Sequence, residues 1–286
     1  MLPPALSKKI ISLGRTYKRR LRDKARSSQG KDKPFVREID TLGVSFKIVL
    51  DPLQNAGVDE HISRDGFWEQ DLGKQLLRHI TKDGVFLDIG ANIGYHSLFV
   101  ASILKGTGKV YAFEPIERLC KQLHESVTIN NFSNIEICNF GISKKEGSET
   151  IYLRDENIGG STLLSKLDDF KLKETQTVRL RGLDSFLGEN AKVDVIKIDI
   201  EGYEYEALKS AAALLAHNHP VIFMEFSPRF YAQDYARKAY DLASFLKSFG
   251  YSFFTLDETP LDIFAWLNEG NNAHAQIDLM CRVNQK

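Results

Sequence analysis

The chain has 286 residues, 43% hydrophobic and 27% charged, values of an ordinary globular protein with room for one large domain and extensions. Its 38 Lys and Arg balance 38 Asp and Glu, so bulk charge gives no reason to expect nucleic acid or another polyanion as partner. No apolar run reaches the ~20 residues needed to cross a bilayer.

The charge is unevenly spread. The first 33 residues carry eleven Lys or Arg against Asp23 and Asp32, a net +9, which leaves the remainder at −9. Within residues 5–26, Leu6, Ile10, Leu13, Tyr17 and Leu21 recur at helical spacing with basic residues on the other face. That pattern predicts a short basic amphipathic helix, with Ser27 to Gly30 as a linker. Three readings stay open for it: lying on an anionic membrane surface, covering a sister subunit, or packing on its own domain. Lys8 and Lys9 follow only a few apolar residues, unlike a signal peptide. A cytoplasmic location is therefore expected, peripheral on the inner membrane face under the first reading. Cys120, Cys138 and Cys281 lack metal-ligand spacing and are expected to be buried free thiols.

Residues 35–50 alternate apolar and polar and predict a β-hairpin turning near Thr41 to Gly43. Residues 51–66, with His61 and Arg64, read as loop. Phe67 to Ile80 reads as an amphipathic helix, either a lid on the cofactor site or packing alone.

The stretch Val85-Phe-Leu-Asp-Ile-Gly-Ala-Asn-Ile-Gly94 is the pivot of the chain. A short apolar run ends in Asp88, two glycines follow, and an apolar helix begins: strand, tight turn, helix. Gly90 permits a sharp turn and a close ligand approach, and Gly94 permits close packing of the helix on the strand. The Gly-x-x-x-Gly spacing is not the Gly-x-Gly-x-x-Gly that grips a dinucleotide pyrophosphate. Asp88 at the strand end suits a cationic ligand such as a sulfonium. The next strand, Lys109 to Glu114, also ends in a carboxylate, placed to accept hydrogen bonds from ribose hydroxyls, and Pro115 opens the following helix.

Further strands are expected at 134–140, 193–199, 220–226 and 251–255, and helices at 95–105, 116–130, 203–216 and 235–249. Strand-like pieces at 149–153 and 177–180 flank a hydroxyl-bearing loop, Gly159-Gly-Ser161-Thr162, and a helical turn is expected at 183–187. Ala275 to Val283 reads as a last, antiparallel strand. Alternating strands and helices imply a mostly parallel sheet covered on both faces, an α/β Rossmann-like fold. Val193-Asp-Val-Ile-Lys197-Ile-Asp199-Ile-Glu201-Gly202-Tyr203-Glu204 reads as a buried strand with polar residues at its carboxyl end, where ligands of open α/β sheets bind.

Taken together, Leu87 to Gly94, Ala112-Phe-Glu-Pro115, Gly160-Ser-Thr162 and Ile196-Lys-Ile-Asp-Ile-Glu-Gly202 with Glu204 resemble the FkbM family of S-adenosylmethionine-dependent methyltransferases. The resemblance extends over residues 83–255. It implies a class I methyltransferase fold, S-adenosylmethionine as cofactor, and O-methylation, often of a sugar or polyketide hydroxyl. Candidate cofactor contacts are Asp88, Gly90, Asn92, Gly94, Tyr95, Glu114, Pro115, Gly141 and Asp199. Ser161 and Thr162 are candidate substrate contacts.

Methyl transfer to oxygen is an in-line displacement helped by a base that takes the hydroxyl proton. Asp199, Glu201 and Glu225 at strand ends are candidates, with His96 behind the glycine turn. Lys197 shares a strand face with Asp199, and a lysine in an apolar strand needs an acidic partner there. For these acids and for Lys197 a structural ion pair competes with a catalytic role, and for His96 a plain helix start does. Asp199-Ile-Glu-Gly-Tyr203 is not the Asn/Asp-Pro-Pro-aromatic of amino methylation, and no Pro-Cys pair is present for cytosine methylation. Catechol-type enzymes share an acid near 199, but their further Asp-Asn metal ligands are not evident, so no metal is assigned.

The expected organisation is a basic arm (1–33), a hairpin-and-helix extension (34–82) and a methyltransferase domain (83–286). Partners are a small-molecule or glycan acceptor, with homo-oligomerisation open. The competing readings are a dinucleotide oxidoreductase and a non-catalytic binding module of a polysaccharide assembly complex.

Overall fold

The computed structural model describes residues 33–51, 57–154, 172–188, 190–228, 235–269, 272 and 275–283. The basic arm and the Ser161–Thr162 loop lie outside these residues.

A hairpin comes first. Strands β1 (Phe35–Thr41) and β2 (Val44–Leu50) pair antiparallel from Phe35 opposite Leu50 to Thr41 opposite Val44. Leu42 and Gly43 between them both have positive φ, the two-residue turn whose twist matches paired strands. Residues 58–65 form a helix, α1 (Val58–Asp65), where a loop was expected. Its polar look is misleading: Val58, Asp59, Ile62 and Ser63 are buried. Asp59 accepts the Asp51 N–H and a Gln122 amide N–H, so the acid serves the interior. Helix α2 (Gln70–His79) begins three residues later than the pattern suggested, because Glu69 before it is left-handed (φ 42°, ψ 61°).

Among the described residues the main sheet has eight strands. β3 (Val85–Ile89), β4 (Lys109–Phe113), β5 (Ile135–Cys138), β9 (Val195–Ile198) and β10 (Val221–Phe226) run parallel, with β3 between β9 and β4. The last strand, β13 (Ile277–Val283), inserts antiparallel between β10 and β11 (Tyr251–Thr255). The short β12 (Pro260–Leu261) edges β11. A separate three-stranded sheet holds β6 (Gly141–Ile142), β7 (Gly147–Arg154) and β8 (Leu172–Arg181), in the order β6-β8-β7. The expected α/β Rossmann-like sheet with an antiparallel last strand is therefore present.

Helices α3 (Tyr95–Leu104) and α4 (Glu117–Asn130) follow β3 and β4. α3 is apolar all round because the hairpin covers its outer side: Phe46 meets Tyr95 and Phe99 edge to face. The hairpin is also tied to α4, where Ser126 Oγ accepts the Val49 N–H and Gln122 donates to the Val49 carbonyl. After α5 (Leu183–Leu187), the helix expected at 203–216 is two, α6 (Glu204–Lys209) and α7 (Ala212–Asn218). Ser210 breaks it by donating to the Ala207 carbonyl and accepting the Leu183 N–H, while Asp184 accepts the N–H groups of Ala213 and Leu214 and starts the second piece. α8 (Tyr235–Ser248) and a helix not foreseen from sequence, α9 (Ile263–Asn268), close the fold. α9 is capped by the Asp262 carboxylate. All three cysteines are buried free thiols, and burial pushes Cys120 and Cys138 up to about 12.

Candidate active site

The carboxyl ends of β3, β4 and β9 meet where the chain order reverses, and a partly open cleft lies there. Two glycines shape it. At Gly90 (φ 81°) an added Cβ would overlap the Asp199 carbonyl oxygen and lie 2.9 Å from Ile200 Cγ2, so the glycine is needed to seat two loops against each other. At Gly94 (φ 84°) a Cβ would overlap Leu123 of α4, so this glycine serves helix-to-helix contact rather than helix-to-strand contact.

Of the expected cofactor residues, Gly90, Asn92, Glu114, Pro115, Gly141 and Asp199 line this cleft. Glu114 is 4% exposed; one carboxylate oxygen accepts the Asn92 N–H at 2.9 Å and the other the Ile116 N–H at 2.8 Å. Burial pushes its carboxyl up to about 7 against the pull of those N–H groups. Each carboxylate oxygen has a second lone pair, so acceptor capacity remains for a ligand hydroxyl. Ile89, Phe113, Ile116, Ile142, Ile151 and Ile200 supply apolar walls. A flat purine between those walls and a ribose at Glu114 fit this donor set, so the residues present suit an adenosyl group.

Asp88, Gly94 and Tyr95 do not line the cleft. Asp88, 1% exposed, accepts the Ser97 hydroxyl at 2.6 Å and pairs with Lys197 at 3.6 Å. Tyr95 is buried against the hairpin.

Lys197 is the hub beneath the cleft. Its ammonium donates to the Gly90 carbonyl at 2.9 Å and reaches Asp88 at 3.6 Å and Asp199 at 3.7 Å. Burial would lower its pKa, but the charges of Asp88, Asp199 and Glu69 raise it above that of an ordinary lysine. It stays a cation and fixes both strand ends.

A second, smaller pocket adjoins, lined by Glu69, Lys197, Asp199, Glu225 and Asp278 over apolar side chains that include Leu72 and Phe223. Asp199 lines both cavities. Burial, then the charge of Asp199 and a side-chain hydrogen bond with it, push the Glu225 carboxyl up to about 10. Both effects favour the protonated form of Glu225 beside Asp199. His96, 4% exposed, bonds Glu69 through Nε2 at 2.8 Å. Burial opposes ionisation of Glu69, but the hydrogen bond and charge of His96 hold its pKa below the usual value. Glu201 lies in the loop after β9 with φ 53°, followed by Gly202 at φ 98°. The buried Glu204 carboxylate accepts the N–H groups of Ile200 and Gly202 and fixes that loop.

Two residues were not singled out from the sequence. Glu69 comes from the extension, held in left-handed backbone at the start of α2. Asp278 stands directly opposite Glu225 across β13 and β10. A lone acid within the apolar Ile277-to-Cys281 run was the available signal. Burial and the charges of Glu69 and Asp199 push Asp278 up to about 6.

The family profile described as "Methyltransferase FkbM domain" matches residues 88–253. Hexuronic acid methyltransferase AglP of Haloferax volcanii is 31% identical over 146 residues, 51% of this chain and 57% of AglP. AMB antimetabolite synthetase AmbE of Pseudomonas aeruginosa is 30% identical over 190 residues, 54% of this chain and 8% of AmbE. The chain thus spans less than two thirds of either relative. A crystal structure of methyltransferase FkbM from Methylobacillus flagellatus is 15% identical, with TM-score 0.44, covering 80% of this chain and 60% of that one.

Proposed function

The chain belongs to the FkbM methyltransferase family and is an S-adenosylmethionine-dependent methyltransferase; from that premise we propose that it methylates a hydroxyl of a sugar, glycan or related metabolite. The observation that carries this is Asp199, shared by the adenosyl-fitting cleft and the acidic pocket beside it. The bound cofactor supplies an electrophilic methyl group on a sulfonium. Glu114, Asn92, Pro115 and Gly141 would hold its nucleoside, with Gly90 seating the loop beside it. Asp199 would accept the acceptor hydroxyl proton, oriented by the Glu225 carboxyl and by Lys197. Asp88 works from below by fixing Lys197. Glu201 is kept as a second acid of the same loop, and His96 as the group that orients Glu69. Removing the proton as the methyl is transferred is the step a positioned base accelerates, by about 10²–10⁴.

A carbohydrate acceptor is supported by the pocket's carboxylates, which match sugar hydroxyl donors, and by the hexuronic acid in AglP's name. The test is mass spectrometry of cell glycans with and without the gene. Loss of species heavier by one CH₂ supports the proposal; unchanged glycans with a methylated amine elsewhere would refute it.

We divide the chain into the arm (1–33), the extension (34–82) and the methyltransferase domain (83–286). The arm's +9 charge supports a peripheral, cytoplasmic-face contact with anionic membrane. Salt-sensitive co-sedimentation with anionic vesicles, lost when residues 1–30 are removed, tests it; a parent indifferent to such vesicles at low salt contradicts it.

A further inference from the structure

Glu114 stands at a corner that neither sheet nor helix completes. β4 ends at Phe113 and α4 starts at Glu117, so the carbonyls of Glu114 and Pro115 lie between the two. Side chains meet them. Asn139, just past β5, donates through Nδ2 to the Glu114 carbonyl at 3.0 Å and to the Pro115 carbonyl at 3.2 Å. The Cys120 thiol of α4 donates to the Glu114 carbonyl at 3.0 Å. Gln176 of β8 donates through Nε2 to the Pro115 carbonyl at 3.1 Å.

These contacts reach the carboxylate through a peptide plane. The Pro115 carbonyl and the Ile116 N–H belong to one planar unit and point to opposite sides of it. Asn139 and Gln176 hold that unit by its carbonyl, and its N–H is the donor that one Glu114 oxygen accepts at 2.8 Å. Turning the plane would carry that donor away from the carboxylate.

Gln176 comes from the separate three-stranded sheet. Along β8 one face reads Gln176, Val178, Leu180, and the last two are buried. An amide in such a row costs stability unless it is bonded, and the Pro115 carbonyl is its partner. Directly across the strands stands Ile151, which lines the cofactor cleft. The sheet thus supplies a wall residue and, on the same face, a hydrogen bond to the corner that carries Glu114. Two residues away Glu174 approaches Arg118 of α4 at 3.6 Å, a second tie of the sheet that does not touch the corner.

Resting on the cofactor reading above, we propose that Asn139 and Gln176 are positioning residues for the acid that reads the ribose. They hold the Pro115 peptide so that the Glu114 carboxylate faces the ribose hydroxyls, and Gln176 makes the three-stranded sheet part of nucleoside recognition.

The experiment is calorimetric titration of the full chain with S-adenosylhomocysteine and with its 2′,3′-dideoxy analogue, which keeps the adenine and the amino acid but lacks the ribose hydroxyls. The parent should prefer S-adenosylhomocysteine by at least about tenfold, the loss of hydrogen bonds to a charged acceptor. Gln176→Met keeps the length of the side chain and removes its donor. Asn139→Asp keeps the shape and replaces the donor by an acceptor. Each should weaken S-adenosylhomocysteine binding by about three- to tenfold and the analogue by less than about twofold, so that the preference shrinks. Glu174→Gln, which loosens only the tie to Arg118, should keep the parental preference. In a Glu114→Ala background, Gln176→Met should weaken S-adenosylhomocysteine by less than about twofold, because the two residues act as one unit. A Gln176→Met variant that weakens both ligands equally, or neither, overturns the proposal. So does a Glu174→Gln variant whose preference falls as far. Should Asn139→Asp fail to fold, Gln176→Met at its half-buried strand position decides the matter. A parent that binds the two ligands equally would instead refute Glu114 as the ribose acid, and a parent that binds neither would refute the cofactor reading itself.

Discussion

Gly90→Ala should damage the enzyme in a way that Gly94→Ala and Gly188→Ala do not. All three positions have positive φ, at 81°, 84° and 87°, so each substitution brings the strain of left-handed backbone, about 1–2 kcal/mol. Gly188 stops there, since nothing lies within 4 Å of an added Cβ. At Gly94 the overlap is with the tip of the Leu123 side chain, which can change rotamer. At Gly90 the overlap is with the Asp199 carbonyl oxygen, with the Asp199 carbonyl carbon at 3.0 Å, so backbone must move. Overpacking of that kind costs about 1–3 kcal/mol more. Each kcal/mol lowers the melting temperature of a domain this size by about 2–4 °C. Scanning calorimetry should therefore give a fall of about 2–8 °C for Gly188→Ala and up to about 20 °C for Gly90→Ala. Gly94→Ala should fall between, and its cost should be smaller when measured in a Leu123→Ala background than in the parent. At a temperature where each variant is folded, Gly90→Ala alone should also lose methyl transfer, because the displaced carbonyl belongs to Asp199. Equal melting temperatures for Gly90→Ala and Gly188→Ala, or full activity in the former, would refute the reasoning.

Two further outcomes follow from the carboxyl groups. Burial and the charge of Asp199 push Glu225 up, favouring its neutral, hydrogen-bond-donating form. Glu225→Gln keeps a donor of the same shape and should hold methyl transfer within a few-fold of the parent, whereas Glu225→Ala should cost about 10²-fold. If the Gln variant falls as far as the Ala variant, Glu225 itself is the base. Glu114, pushed up to about 7 by burial, should make cofactor affinity pH-dependent. A ribose hydroxyl donates best to the ionised carboxylate, so S-adenosylhomocysteine affinity should rise from pH 6 to 8, and Glu114→Gln should flatten the profile. Without ligand the sign is opposite: the folded state holds the proton more tightly than the unfolded, so this group's contribution to stability is present below the ordinary value of 4.5 and lost as pH rises through about 7. A parent affinity flat across that range would remove Glu114 from the site.

The central β-α-β unit was legible because its signals are local. Val85 to Ile89 is buried in the middle of a parallel sheet and therefore reads as a continuous apolar run. Leu42 and Gly43 announce the hairpin turn for the same reason. Helix α1 was not legible, since Asp59, an acid on the buried face of eight residues, breaks the apolar stripe while bonding groups far along the chain. The site divides likewise. Asp199, Lys197 and Glu225 end apolar strands and stand out. Glu69 and Asp278 enter only because a helix start and the last strand are brought beside β9 and β10 by tertiary structure. The spacing also gave Gly94 to the strand, whereas an added Cβ there would meet Leu123 of α4; Gly90 lines the cleft and also packs against the Asp199 carbonyl.

The most direct test of the account is methyl transfer by the purified parent and by Asp199→Asn. The donor is S-adenosylmethionine and the acceptor is glycan from cells lacking the gene. The parent should add the mass of one CH₂ to a glycan. Asp199→Asn should be slower by about 10²–10⁴ while keeping its fold and a measurable affinity for S-adenosylhomocysteine. A folded, cofactor-binding Asp199→Asn that transfers methyl at the parental rate would contradict the assignment of Asp199 as the residue that takes the proton.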